Sequence, residues 1–213
     1  MRSNLAPLRW ALAVVLLTLV AGPARPAWAS SPTDTLRAYT DQVLRVLEDN
    51  TLKPSERRGV VRKLALEVFD FAETAKRALA RHWQGRTPAE REDFIGLFAE
   101  LLERTYIARI DDYGGERVRY VGETVDGDFA TVRARLVTRK GTEVAVDSRM
   151  LRRGEHWLVY DVLIENVSLI ASYRAQFDRI VRTTSYDELV RRLRHRADDL
   201  LRDAAPGARR TAG

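Results

Sequence analysis

The chain has 213 residues, of which 36 are Lys or Arg and 30 are Asp or Glu, and its formal net charge is +6 at pH 7. Only four of the basic residues are Lys, and acidic residues nearly balance the basic ones, so the composition does not indicate a nucleic-acid-binding protein. Because the sequence contains no Cys, it excludes a disulfide framework, thiolate catalysis and lipoprotein attachment through a thiol.

The N-terminus has the pattern of an export signal. Arg2 and Arg9 are followed by an apolar run, Trp10–Val20, that is short for a membrane span, and Ala27–Ala29 has the small-x-small pattern of a cleavage site. We therefore predict a cleaved signal peptide at 1–29, and an uncleaved membrane anchor is the alternative. The remaining chain is long enough for a single domain with a hydrophobic core. We place this domain at 30–203 and predict a disordered tail at 204–213.

The first half of the mature chain is predicted to be helical up to about Asp112. Ser31 and Pro32 have the pattern of a helix start, and Pro54 begins a second helix. A short third helix follows, and a capping box at Thr87–Glu90 opens a long helix that extends to about Ile110. The first helix carries apolar residues at helical spacing: Leu36, Tyr39, Val43, Leu44 and Leu47.

The long helix has a wider apolar surface than one packing contact requires. Two neighbouring stripes run along it, and we therefore expect other elements to cover it on two sides. The stripes are Phe94, Leu97, Leu101 and Ala108, and Phe98, Leu102, Tyr106 and Ile110.

From Arg117 onward the apolar period changes from 3.6 to 2, which indicates β-strands. Four alternating runs are separated by Asp126-Gly127, Lys140-Gly141 and Arg153-Gly154, each short enough for a hairpin. We predict a four-stranded antiparallel meander with one apolar face and one Arg-rich face. Two helices follow, at about 169–182 and 186–203.

Signatures of catalysis are mostly absent. Nucleophile-elbow, zincin, P-loop and dinucleotide-binding motifs do not occur, and the three His residues lack ligand spacing. Asp161 interrupts an apolar strand, with Tyr160 and His156 nearby. A small cavity enzyme using Asp161 with Tyr160 or His156 is one hypothesis, and a structural carboxylate bonded to a neighbouring helix or loop is the other. The surplus of apolar surface fits either a filled core or a cavity, which periodicity alone does not separate.

Two segments resemble the signature regions of a known family. Trp83, Thr87, Pro88, Glu90, Arg91 and Phe94 match one region, and the stretch "YDVLIENVSLIASYRAQF" matches the other through Tyr160, Asp161, Val162, Val167, Ser168, Leu169, Tyr173, Arg174 and Phe177. The family is MlaC, the periplasmic phospholipid-binding proteins that are also described as toluene-tolerance auxiliary components. Asn166 stands where Gly is expected in many relatives, and Asn tolerates the left-handed conformation of a turn.

The resemblance implies an α+β fold in which helices surround a curved four-stranded antiparallel sheet and enclose an apolar lipid cavity. It implies a periplasmic carrier whose cargo is a phospholipid, with no other cofactor and no enzymatic activity. Its implied partners are an inner-membrane ABC transporter with an MCE-domain subunit and an outer-membrane lipoprotein/porin complex, and its implied role is to maintain outer-membrane lipid asymmetry. A hopanoid-associated branch of the family is an alternative that the sequence leaves open.

On this basis we predict which side chains contact the acyl chains. They belong to the third and fourth helices, the apolar face of the sheet and the corner after the fourth strand. The predicted lipid-binding residues are Leu79, Trp83, Phe98, Leu102, Tyr106, Val118, Tyr120, Val132, Leu136, Val144, Val146, Met150, Val162, Val167 and Tyr173.

Overall fold

The computed structural model describes residues 30–195. The predicted signal peptide at 1–29, the tail at 204–213 and the end of the last predicted helix lie outside this range. Across the described residues, the structure has no helix that combines the length and apolar character needed to cross a bilayer.

Helices and a sheet occupy the described chain as the α+β prediction requires, which confirms the fold class. The α-helices are α1 (Pro32–Glu48), α2 (Pro54–Val68), α3 (Phe71–Leu79), α4 (Pro88–Tyr106), α5 (Leu169–Thr183) and α6 (Tyr186–His195), and 3-10 turns cover Ala80–His82 and Ile107–Asp112. The strands are β1 (Arg117–Asp126), β2 (Phe129–Val137), β3 (Glu143–Arg153), β4 (His156–Ile164) and β5 (Val167–Ser168).

The sheet is an antiparallel meander in the order β1-β2-β3-β4-β5. It contains one more strand than predicted, because the chain makes a tight turn at Glu165 and Asn166, with φ of 49° and 65°, and pairs two further residues with β4. Asn166 therefore adopts the left-handed conformation expected of it. The register shifts at Val121 in β1 and at Tyr160 in β4, and such bulges bend a sheet.

The apolar residues form two separate clusters. One cluster fills the space between α3, α4, α5 and α6, where Phe98 meets Tyr173 at 5.1 Å between ring centroids and Phe94 meets Phe177 at 5.8 Å, both edge to face. The other cluster packs one face of the sheet against Val68 at the end of α2. The four-helix cluster is thus a core of its own, while α1 and the end of α2 pack over the sheet face of the second cluster.

The first signature region forms the loop between α3 and α4 and the start of α4. Thr87 and Glu90 form the predicted capping box at the start of α4. Arg91 donates from Nε to the Trp83 carbonyl and from Nη2 to the Gln84 carbonyl, both at 3.2 Å, while its guanidinium lies 5.3 Å from the Trp83 ring centroid. These residues therefore fix the loop between α3 and α4.

The second signature region builds the corner between β4 and α5. The Asp161 carboxylate is buried; it accepts hydrogen bonds from the Ile170 N–H at 3.1 Å and from the Ser168 hydroxyl at 2.7 Å, and Arg149 lies 3.3 Å away. Ser168 in turn caps α5 by accepting a hydrogen bond from the Ala171 N–H. Asp161 is therefore a structural carboxylate bonded to the following helix, which agrees with the second of the two hypotheses.

We expect Asp161→Ala to lower the free energy of unfolding by about 1–3 kcal/mol, because the buried Ile170 N–H loses its acceptor. Urea denaturation measures this loss. Asp128→Ala is the matched control, since Asp128 is an exposed carboxylate paired with Arg152 on the same sheet and such pairs contribute about 0–1 kcal/mol. Equal losses in the two variants would contradict the structural role of Asp161.

Candidate apolar ligand cavity

A cavity of about 580 Å³ lies between α1, α2, the 3-10 turn Ile107–Asp112 and the first two strands. Its lining is predominantly aliphatic and comes from both helices and from one end of the sheet. The apolar lining residues are Leu36, Tyr39, Val43, Leu44 and Leu47 of α1, Val61, Leu64, Ala65 and Val68 of α2, and Phe69, Ile110, Val118 and Leu136.

Helix α1 has an apolar face that the protein covers only in part. Of its residues only Pro32 is fully buried, although Val43, Leu44 and Leu47 all face the cavity. Apolar side chains on an amphipathic helix are normally packed against a core. The half-covered face of α1 is therefore a surface that an apolar ligand can cover.

Polar contacts hold the first half of α1 against the sheet. At its start, the Thr33 N–H and hydroxyl both donate to the Glu123 carboxylate, at 2.9 and 2.6 Å. In the middle, the Tyr120 hydroxyl donates to Thr40 Oγ1 at 2.9 Å, and burial raises the pKa of Tyr120. These contacts fix the position of the helix without filling the space beneath it.

The far end of α1 is tied to the loop before β1. The Tyr113 hydroxyl lies 3.3 Å from the Glu48 carboxylate and 3.3 Å from the Glu116 carbonyl, and burial followed by the nearby Glu48 charge raises the pKa of Tyr113. Asp112, Tyr113 and Glu116 also line this end of the cavity. The cavity therefore has an apolar interior and a polar rim at the end of α1.

His156 and Asp161 of the enzyme hypothesis lie far apart. His156 lines a smaller cavity of about 250 Å³ beside Tyr39, whereas Asp161 lies five positions along β4, about 16 Å away at the usual rise of a strand. The Tyr160 ring lies under the Arg77 guanidinium, 4.1 Å from it. Among residues 30–195, no cluster of three or more His, Asp or Glu side chains could hold a metal ion.

The predicted lipid-binding residues are divided among three places. Val118 and Leu136 line the cavity. The strand register places further members of the set on the same face of the sheet, although they are not part of the cavity wall. These are Tyr120, Val132, Val144, Val146, Met150 and Val162.

The remaining members lie on helices or at the corner. Leu79, Phe98 and Tyr173 are buried within the four-helix cluster, and Trp83 and Leu102 pack against it. Tyr106 and Val167 are exposed. The double stripe of α4 is thus covered largely by α3, α5 and α6, and contact of these residues with lipid stays a prediction.

The predicted lipid-binding residues do not include the α1 and α2 side chains that form most of the cavity wall. The signal that could have found them is the stripe Leu36, Tyr39, Val43, Leu44 and Leu47, which the sequence shows clearly. Apolar periodicity identifies such a helix face but does not show whether a packed core or a cavity lies opposite it.

Comparison with known proteins gives the family of the chain. The model of the MlaC protein family matches residues 37–195, which is most of the chain. The chain belongs to the MlaC family. The signature regions from which the resemblance was inferred both lie within the matched range.

Two known proteins illustrate the extent of the similarity. The intermembrane phospholipid transport system binding protein MlaC of Haemophilus influenzae is 22% identical over 177 residues, which cover 79% of this chain and 83% of that protein. A phospholipid-binding protein from Ralstonia solanacearum, solved in complex with a phospholipid, superimposes with a TM-score of 0.71 at 24% identity, covering 81% of this chain and 99% of the other. At this identity the second comparison shows a shared fold.

A matched pair of leucine truncations distinguishes the cavity from a packed core. We expect Leu79→Ala to lower the free energy of unfolding by about 2–5 kcal/mol, because Leu79 is fully buried in the four-helix cluster. Leu44→Ala should cost about 1 kcal/mol, because Leu44 is half-buried at the cavity and loses fewer contacts. Urea denaturation of ligand-free protein tests both. An equally large loss for Leu44→Ala would mean that α1 packs as core.

Proposed function

We propose that this protein is a phospholipid carrier that holds acyl chains in the cavity between α1, α2 and the sheet. The observation that carries the proposal is the partly covered apolar face of α1 over a cavity of about 580 Å³. This volume lies within the range of roughly 300–1,000 Å³ that is usual for ligand pockets. The names of the Haemophilus and Ralstonia proteins, which refer to phospholipid transport and binding, support the same ligand class.

The energetic requirement for such a carrier is to keep acyl chains out of water. A two-chain lipid in water would expose about 30 methylenes, and burying each one is favourable by roughly 0.8 kcal/mol. The aliphatic wall formed by α1 and α2 can cover part of this surface, and the apolar face of the sheet adjoins it. Binding and release need no covalent step, because lipid moves toward whichever partner binds it more tightly.

Helix α1 is the element best suited to accommodate cargo of variable size. Hydrogen bonds at Thr33, Thr40 and Glu48 join it to the rest of the protein, and the four-helix cluster does not include it. A small outward movement of α1 would therefore widen the cavity and leave the main aromatic core intact.

We propose that the carrier operates in the periplasm. It would exchange lipid with an inner-membrane ABC transporter that has an MCE-domain subunit and with an outer-membrane lipoprotein/porin complex, and so maintain outer-membrane lipid asymmetry. The predicted export signal and the name of the Haemophilus relative, which refers to intermembrane transport, support this placement.

Native mass spectrometry of the purified mature chain tests the proposal. We expect a co-purifying phospholipid on the wild type and its loss in Val43→Glu, because a carboxylate in the cavity must either stay charged among acyl chains or be neutralised by a shift of its pKa. Circular dichroism should remain close to that of the wild type, since Val43 is outside both packed clusters.

Gln42→Glu is the matched control, since it adds the same carboxylate to an exposed position of the same helix. It should retain lipid. A wild type that purifies without lipid and binds none from vesicles would refute the carrier proposal, and a bound hopanoid would assign the protein to the other branch of the family.

A further inference from the structure

An apolar row crosses the sheet from the cavity to the opposite edge. Leu136 lines the cavity, and Ala134 lies two positions along β2 on the same face. The register pairs Ala134 with Val146, Val146 with Ile164, and Ile164 with Val167. Four adjacent strands therefore contribute one apolar side chain each to a continuous row that begins beside the cavity wall.

The exposure of this row increases steadily away from the cavity. Ala134 is 4% exposed, Val146 is half-buried, Ile164 is 45% exposed and Val167 is 63% exposed. The last two flank the tight turn Glu165-Asn166, which joins β4 to β5. The row therefore ends in a pair of β-branched side chains in contact with water.

The charged residue of this turn is drawn back toward the sheet. The Glu165 N–H donates to the Ala145 carbonyl at 2.9 Å, and the Glu165 carboxylate accepts from the Ala145 N–H. These bonds fix the turn on β3 and hold the carboxylate at the strand. The exposed surface of Ile164 and Val167 stays apolar beside it.

We propose that the β4–β5 turn is the portal through which acyl chains pass between the cavity and a lipid surface. A row of aliphatic side chains lets an acyl chain stay in contact with apolar surface as it moves from the bilayer to the cavity. This contact lowers the free-energy cost of exposing its methylenes to water during transfer. The inference rests on the proposed carrier function, and the molecule that passes along this row is an acyl chain of the cargo.

A matched pair of valines tests the portal. Val167 and Val125 are both exposed on this sheet but lie on strands at its opposite edges, β5 and β1. Lipid transfer is followed from donor vesicles of phosphatidylethanolamine and phosphatidylglycerol that contain pyrene-labelled phosphatidylethanolamine. Val167→Asp should slow lipid extraction about tenfold, because the transition state for lipid transfer loses one buried aliphatic contact. Val125→Asp should extract lipid at the rate of the wild type.

Release of lipid is the reverse test. A portal changes the rates of entry and exit alike, so transfer from loaded Val167→Asp protein to acceptor vesicles should slow by the same factor as extraction. Equal extraction rates for Val167→Asp and Val125→Asp would overturn the portal. A wild type that extracts no lipid would overturn the carrier function itself, and the portal with it.

Fluorescent labelling gives a second readout that does not depend on introducing a charge. The chain has no Cys, so Val167→Cys and Val125→Cys each provide one attachment point for a polarity-sensitive dye. On mixing with the same vesicles, the dye at position 167 should shift to shorter wavelength during lipid uptake, while the dye at position 125 should not. Identical responses at the two positions would contradict the proposed path.

Discussion

The attachment of α1 to the sheet by polar contacts is the constraint on which the cavity depends. Thr33, Thr40 and Glu48 bond to partners on or before β1, and the apolar side chains of the helix project into space beneath it. If packing alone held α1, the free energy of burying its aliphatic face would draw the helix onto the sheet and close the cavity. Directional hydrogen bonds, together with the packing of Leu36 and Tyr39 against the sheet cluster, position the helix without that collapse.

The division of the apolar residues into two clusters also keeps the cavity apart from the main core. The cluster of α3, α4, α5 and α6 consists of buried residues that take no part in the cavity wall. The cavity lies outside it, between α1, α2 and the sheet, and Leu36 and Tyr39 of α1 pack against the second cluster, which also stabilises the fold. For the proposed carrier function, this arrangement would let the four-helix cluster remain folded when the cavity is empty.

The two signature regions of the MlaC family lie in and around the four-helix cluster. Arg91 bonds the carbonyls of the loop that precedes α4, and Asp161 bonds the first turn of α5, while Phe94, Tyr173 and Phe177 meet in the aromatic cluster. The stretch "YDVLIENVSLIASYRAQF" accordingly has two roles in its sequence. Asp161 and Ser168 fix the corner, and Tyr173 and Phe177 fill the aromatic cluster. Ile164 and Val167 remain at the surface.

The sequence by itself determined the local elements of this protein. Capping residues fix helix starts at Ser31, Thr87 and Ser168, and alternation of apolar residues with Gly turns fixes the four long strands, because both signals act over a few residues. Family resemblance supplied the α+β class and the expectation of a lipid cavity.

Only the tertiary structure decided which apolar faces fill a core and which line a cavity. The stripes of α1 and α4 have the same periodicity, yet α4 is enclosed by three helices and α1 covers open space, a difference that arises from the packing partners of each helix. The fifth strand and the bulges at Val121 and Tyr160 likewise depend on how strands meet across the sheet. A hydrophobic pattern specifies that a face avoids water, and the folded chain determines whether protein or ligand covers it.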